Sequence, residues 1–159
     1  MTSRILKAVV RASAADVITR LSDDSTFAEQ ADDIVSITDA GNGLRTWVLA
    51  FRGGAATWTQ GTRPGADNPL RVEFAQISGQ FQHLYGAWTA VDTADGCEVT
   101  YEVDFRTNVP HLAGAIDSAV GRVLVRTAHQ LLTAAGGPAR VTKGSHLLQD
   151  LAEKAPSPV

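Results

Sequence analysis

Four polar side chains of this sequence stand where they could do chemistry. Gln60, Gln76 and Tyr101 alternate with apolar residues along their segments, on the side that the alternation turns inward. A buried amide or phenol must find a hydrogen-bond partner, and a bound ligand can be that partner. His111 follows Pro110 at the start of a helical pattern, where an imidazole could transfer a proton near neutral pH. Cross-strand hydrogen bonds for the first three and a solvated imidazole for His111 are the alternatives.

Other chemistries find little support. Cys97 is the only cysteine and has no adjacent basic residue, and no Gly-x-Ser-x-Gly elbow or phosphate-binding glycine loop occurs. His129 and His146 lie in different elements and have no partner at metal-ligand spacing, so we predict no metal, and we expect no cofactor. The acidic pairs Asp23-Asp24 and Asp32-Asp33 are interpreted as solvated caps rather than as a carboxylate dyad.

Length and charge limit the class of protein. The chain has 159 residues, a formal net charge of −3 and 44% hydrophobic residues, which is typical of one folded domain. No cluster of Lys and Arg is present, so we expect neither nucleic acid nor an anionic membrane surface as a partner. No segment approaches the roughly 18 apolar residues of a membrane span, and a cytoplasmic location is expected.

The periodicity predicts the elements that must position these side chains. A strand over Arg4–Ala12 precedes two short helices, the first capped by Ser13, and six antiparallel strands follow. These six strands are predicted over Asp33–Asp39, Leu44–Arg52, Ala55–Arg63, Leu70–Ser78, Gln80–Asp92 and Glu98–Arg106. A long helix then runs from Pro110 to Gly136, with its apolar stripe on Leu112, Ile116, Ala119, Val120, Val123, Thr127 and Leu131.

This order predicts an α+β fold in which a seven-stranded curved antiparallel sheet wraps around the long helix. Such a sheet buries the helix only partly, which favours a cavity between them. The domain is expected over 1–136. The remaining 137–159 are expected to form a partly flexible tail with a weak helical piece over Ser145–Glu153.

One segment carries a family resemblance. Ile77–Trp88, with the sequence ISGQFQHLYGAW, resembles the G-P-F-x-x-L-x-x-x-W segment of the polyketide cyclase and coenzyme Q-binding branch of the START-like (SRPBCC) superfamily. Gly96–Phe105 resembles the final strand of that family. The resemblance implies the helix-grip fold. Its members include aromatase/cyclases of antibiotic biosynthesis, quinone and lipid carriers, and hormone receptors, so the fold alone does not choose an activity.

Matching Trp88 to the family tryptophan turns Leu84 and Gly86 inward with it and His83 outward with Phe81 and Tyr85, unless a bulge near Gly86 reverses this. The outward aromatic face makes a homodimer plausible. Aromatic walls suit a flat conjugated ligand, and the alternative for each ring is ordinary core. The expected ligand-binding residues are Trp47, Phe51, Trp58, Phe74, Leu84, Trp88, Phe105, Ile116 and Val120.

The leading functional hypothesis is a cofactor-independent polyketide cyclase or aromatase. It would bind a mostly apolar polycyclic or polyketide-derived molecule and steer its cyclisation, with a biosynthetic carrier protein as a further partner. Gln60, Gln76 and Tyr101 would hydrogen-bond ketone or enol oxygens and hold the chain in one bend. Arg45, near a strand end, is the only arginine on an inward face. The alternative is a non-catalytic carrier for a quinone, lipid or other hydrophobic molecule.

Overall fold

The computed structural model describes residues 1–51, 54–108 and 113–148. Eight antiparallel strands form one sheet in the order β2-β3-β4-β5-β6-β7-β1-β8. The strands are β1 Thr2–Val10, β2 Ile34–Gly41, β3 Leu44–Phe51, β4 Gly54–Pro64, β5 Arg71–Gly79, β6 Phe81–Thr93, β7 Gly96–Thr107 and β8 Arg140–Lys143. The helices are α1 Ala14–Leu21, α2 Phe27–Gln30 and α3 Ala113–Gly136, with single 3₁₀ turns at Asp24–Thr26 and Ser145–Leu148. The predicted α+β class and the helix-grip arrangement are confirmed.

The strand count differs from the prediction, which gave seven. β8 adds an edge strand to β1, with Ala8 opposite Val141 and Val9 opposite Arg140. Its four residues contain one apolar side chain, too few for a period-two pattern to be visible. Gly144, with φ of +91°, then turns the chain into the 3₁₀ turn that stands at the start of the predicted helical piece.

The first helix forms as its sequence predicts. The Ser13 hydroxyl accepts a hydrogen bond from the backbone N–H of Asp16 at 3.2 Å, which satisfies one of the free donors at the helix start. Val17, Ile18 and Leu21 are buried on one face. This face closes one end of the space between the sheet and α3.

Helix α3 packs its apolar stripe into the curve of the sheet, where Val120, Val125 and Leu132 are almost fully buried. Asp117 fixes the first turns of the helix. Its carboxylate accepts hydrogen bonds from the Thr2 hydroxyl at 2.9 Å and from the backbone N–H of Thr107 at 3.1 Å. The carboxylate therefore joins α3 to the two strands β1 and β7.

The prediction that Phe81 faces outward is wrong, because β6 contains a bulge. Phe81 pairs with Thr107 whereas His83 pairs with Arg106, so Gln82 is the extra residue. Phe81 is therefore buried instead of sharing the outer face with His83 and Tyr85. The bulge lies at Gln82 rather than near Gly86, and Leu84 and Trp88 remain buried as predicted.

Candidate functional site

A narrow cavity of about 50 Å³ lies between α3 and the inner face of strands β3 to β7, and the turn after α1 contributes to its wall. Its walls are mostly aromatic and aliphatic. The lining residues are Leu21, Asp24, Phe27, Trp47, Leu49, Trp58, Gln60, Thr62, Val72, Phe74, Leu84, Trp88, Tyr101, Leu124, Thr127, Ala128 and Leu131.

The aromatic rings form two groups on the cavity wall. The indoles of Trp47 and Trp58 stack with centroids 5.6 Å apart. Tyr101 stands between Trp88, at 4.7 Å, and Phe74, which is stacked at 6.0 Å. All three tryptophans of the chain thus line this one cavity. Flat conjugated molecules gain offset stacking between such rings.

Gly86 makes the second group possible. A Cβ added at this position would collide with the ring of Phe74 and with the carbonyl oxygen of Glu102. The missing side chain lets the Phe74 ring lie across β6 and reach Tyr101. Gly86 is therefore a packing requirement of the aromatic wall.

Gln60 lines the cavity with one half of its amide already engaged. Its Oε1 accepts a hydrogen bond from Trp58 Nε1 at 2.9 Å. An indole nitrogen only donates, so the amide oxygen must face it and the NH₂ group is left to donate elsewhere.

Tyr101 and Thr127 bring two hydroxyls to the same cavity. Tyr101 is 5% exposed and lies on the cavity wall. Burial raises the pKa of Tyr101, which keeps the phenol neutral and able to donate. Thr127 is 4% exposed, and its Oγ1 lacks a partner within the described ranges.

The hydroxyl of Thr127 differs from the other helical threonines. Thr19 and Thr133 donate to the carbonyl oxygen four residues before them, at 2.8 and 2.9 Å. Thr127 makes no such bond although it lies on α3, like Thr133. A buried hydroxyl without a partner costs free energy, so its place on a cavity wall favours a ligand as the intended partner.

The prediction that Asp23 and Asp24 are both solvated caps is wrong for Asp24. Asp23 is a cap, because its carboxylate accepts from the backbone N–H of Ser25 at 3.0 Å. Asp24 is buried and lines the cavity, where Oδ2 accepts from Trp47 Nε1 at 3.3 Å and Oδ1 lies 3.3 Å from Arg45 Nε. Burial raises the pKa of Asp24, and the Trp47 hydrogen bond and the Arg45 charge partly oppose the rise.

Asp24 carried a sequence signal that adjacency to Asp23 obscured. Asp24 and Phe27 are three residues apart, so a helical turn puts both on one face, and Phe27 is buried. Thr127 was already visible in the sequence as a polar residue within the apolar stripe of α3. The criterion that singled out Gln60 and Tyr101, a polar residue on an apolar face, applies to Thr127 as well.

One of the expected catalytic residues, Gln76, lies away from the cavity, and the placement of another is not described. Gln76 does not line the cavity, because its Nε2 donates to the Phe81 carbonyl at 2.9 Å and its Oε1 accepts from the Phe81 N–H at 3.1 Å. The amide thus clamps the β5–β6 hairpin and holds Phe81 in place. His111 lies outside the described residues.

The expected ligand-binding residues divide between two spaces. Trp47, Trp58, Phe74, Leu84 and Trp88 line the aromatic cavity. A second cavity of about 320 Å³ lies near the start of α3, and it is lined by Phe51, Ala55, Ala56, Gln80, Phe81, Thr107, Asn108, Ile116 and Val120.

The ring of Phe81 meets Trp58 edge-on at 5.3 Å, and this pair stands between the two spaces. Phe105 is fully buried against Phe81 and lines neither of them. The single cavity expected from the sequence is therefore divided by Trp58 and Phe81.

Comparison with known families fits this geometry. The model of the family described as polyketide cyclase/dehydrase and lipid transport matches residues 12–132. The chain belongs to this family. Among curated proteins, no sequence matches significantly. The match covers every cavity residue named above, so the aromatic cavity is the interior of a polyketide cyclase/dehydrase and lipid transport fold.

Solved structures share the fold of this family member at low sequence identity. The protein TTHA0849 from Thermus thermophilus has a TM-score of 0.73 and 17% identity over 84% of this chain and 94% of its own. The ZhuI aromatase/cyclase from a Streptomyces species has a TM-score of 0.70 and 18% identity over 84% and 93%. A START superfamily protein from Mycobacterium smegmatis has a TM-score of 0.69 and 14% identity over 84% and 95%. At these identities the likeness shows the fold alone.

The described part of the chain contains no group of three His, Cys, Asp or Glu side chains arranged to hold a metal ion. Within the same ranges, no helix is long and apolar enough to cross a membrane.

Proposed function

We propose that this protein binds a flat, mostly apolar molecule that carries ketone or hydroxyl oxygens, of the polycyclic or polyketide-derived class, and steers its cyclisation or aromatisation. The observation that carries this proposal is a set of hydrogen-bond donors on an aromatic wall. The Gln60 amide NH₂, the Tyr101 phenol and the Thr127 hydroxyl all belong to residues that line the cavity, and the Thr127 hydroxyl is buried without a partner among the described residues.

These donors suit oxygens better than a hydrocarbon chain. Each neutral hydrogen bond to a ligand contributes about 0.5–1.5 kcal/mol, and leaving such a group buried and unpaired costs more. Donors in a site without water also polarise a ketone toward its enol, the form in which ring closure and aromatisation proceed. A carrier for simple lipids would gain no hydrogen bonds from these three groups on the cavity wall.

The size of the cavity indicates that it opens when a ligand enters. Sites for drug-sized ligands measure about 300–1,000 Å³, whereas the aromatic cavity measures about 50 Å³. Rotation of Trp58 or Phe81 would join it to the neighbouring cavity of about 320 Å³. The substrate therefore enters from the side of α3 where the second cavity lies, and the Gln76 clamp limits how far Phe81 can move.

The partners are part of the same proposal. A biosynthetic carrier protein would deliver the reactive chain. A homodimer contact would use His83 and Tyr85 of the outer aromatic set, because Phe81 faces inward.

Product distribution distinguishes a cyclase from a carrier. A reactive poly-β-ketone is incubated with wild-type protein, with the double variant Gln60→Leu/Tyr101→Phe, and with Tyr85→Phe, which alters the tyrosine on the outer face. We expect the wild type and Tyr85→Phe to enrich one cyclised product and the double variant to lose this enrichment.

An unchanged product mixture with wild-type protein would overturn steering. If the protein nevertheless bound 1-tetralone, a bicyclic ketone, in isothermal titration calorimetry, the carrier function would stand instead.

A further inference from the structure

We propose that Asp24 is the proton-transfer residue of the aromatic cavity and acts on a β-hydroxyketone in the dehydrase type of reaction that the family description names. The inference rests on the proposed function and adds the group that performs the proton transfer. Asp24 is the only carboxyl among the described residues that line the cavity.

Two contacts from β3 hold the carboxylate in one orientation. Trp47 Nε1 donates to Oδ2 and the Arg45 guanidinium faces Oδ1, both at 3.3 Å. The contacts occupy one direction at each oxygen, and a carboxylate oxygen accepts from more than one. The remaining lone pairs are available to a substrate in the cavity. A general base needs this fixed direction as much as its proton affinity.

The surroundings make the carboxylate more basic than an exposed one. Burial raises the pKa of Asp24, and the Asp23 charge acts in the same direction. The Trp47 hydrogen bond and the Arg45 charge beside Oδ1 oppose the rise, and Tyr101, the other titratable group on the wall, stays neutral. A buried carboxylate with a raised pKa is a common arrangement for general acid–base catalysis.

Thr127 is the independent observation that points to a ligand here. Its hydroxyl is more than nine-tenths buried, lacks a partner and lines the same cavity from α3. It can donate to the ketone oxygen while Asp24 acts on the neighbouring carbon. Together they supply a donor and a base to opposite ends of an enolising ketone.

The reaction balances without a cofactor. The Asp24 carboxylate removes a proton from the carbon next to the ketone, and the C–H electron pair becomes the new C=C bond. The C–O bond to the β-hydroxyl breaks, its electron pair goes to the oxygen, and this oxygen takes the proton back from Asp24 and leaves as water. The carboxylate is regenerated, and the enone tautomerises to a phenol where the ring permits.

A bicyclic β-hydroxyketone tests this assignment directly. The probe 3-hydroxy-1-tetralone loses water to give 1-naphthol, whose fluorescence reports turnover. Asp24→Asn keeps the acceptor for Trp47 and removes the base, and we expect turnover to fall by about 100-fold or more with the dissociation constant of 1-tetralone changed less than about threefold. Glu29→Gln, which alters an exposed carboxyl on α2, should leave turnover within about twofold.

A second variant tests the assignment even if Asp24→Asn fails to fold. Wild-type turnover should decline on the acidic side as Asp24 is protonated, and Arg45→Met should move this limb to higher pH by about one unit because a facing positive charge is removed. Turnover by folded Asp24→Asn equal to that of the wild type, or an acidic limb unmoved in Arg45→Met, would overturn the assignment. Probe binding without any wild-type turnover would reject the aromatising function itself.

Discussion

Replacing Thr127 by valine should make the ligand-free protein more stable. The Thr127 hydroxyl is buried and unpartnered, which costs about 1–3 kcal/mol, and valine has the same branched shape without the polar atom. Allowing for the ligand-free cavity beside it, we expect the free energy of unfolding to rise by about 1 kcal/mol. For a chain of 159 residues this raises Tm by about 2–4 °C.

The assay is urea unfolding together with scanning calorimetry, with Thr133→Val as the control. Thr133 is exposed and donates to its own helix, so its replacement should change stability by less than about 0.5 kcal/mol. Binding should move the other way: Thr127→Val should weaken the affinity for 1-tetralone by about 2- to 12-fold and leave that for tetralin, its ketone-free counterpart, unchanged. Destabilisation by 1 kcal/mol or more, at unchanged m-value, would show that the hydroxyl has a partner and refute the reasoning.

Three further predictions concern packing and pH. Gly86→Ala should lower the free energy of unfolding by about 1–3 kcal/mol in urea titration, because the new Cβ collides with Phe74; an unchanged midpoint would count against the packing. Gln76→Leu, which releases the backbone of Phe81, should speed hydrogen exchange at the Phe81 amide, whereas Gln82→Leu should not. The raised pKa of Asp24 stabilises the fold below the ordinary value of 3.8, and this contribution is lost as pH rises through the folded pKa. The stability of Asp24→Asn relative to wild type should therefore increase from pH 3 to pH 7, and a decrease would contradict the shift.

The parts of the fold with alternating apolar and polar side chains could be predicted from the sequence. The parts that depend on local backbone conformation could not. Period-two patterns predict the strands from Leu44 to Thr107, and the capping residue Ser13 predicts the start of α1. β8 has too little apolar pattern to detect. The orientation of Phe81 depends on a bulge at Gln82 that no residue type requires.

The residues of the site were likewise predictable only in part. A polar residue on an apolar face was a sound criterion for Gln60 and Tyr101, and it would also have found Thr127. Gln76 satisfied the criterion and yet serves the hairpin, because an amide can pair with a backbone that only the fold brings near. The side chain of Asp24 reaches the cavity because of the direction of the 3₁₀ turn Asp24–Thr26, and the residue types do not specify that direction. The volume of the cavity depends on how the aromatic rings pack against one another. The alternation of residues along a strand carries no information about that packing.

The most direct test of the central claim is the crystal structure of the protein with 1-tetralone. We expect the bicyclic ring to lie between the Trp47–Trp58 pair and Trp88, with the Trp58–Phe81 contact opened. The ketone oxygen should lie about 3 Å from Tyr101 Oη or Thr127 Oγ1. A ligand confined to the cavity between Phe51 and Val120, with the aromatic rings unmoved, would contradict it.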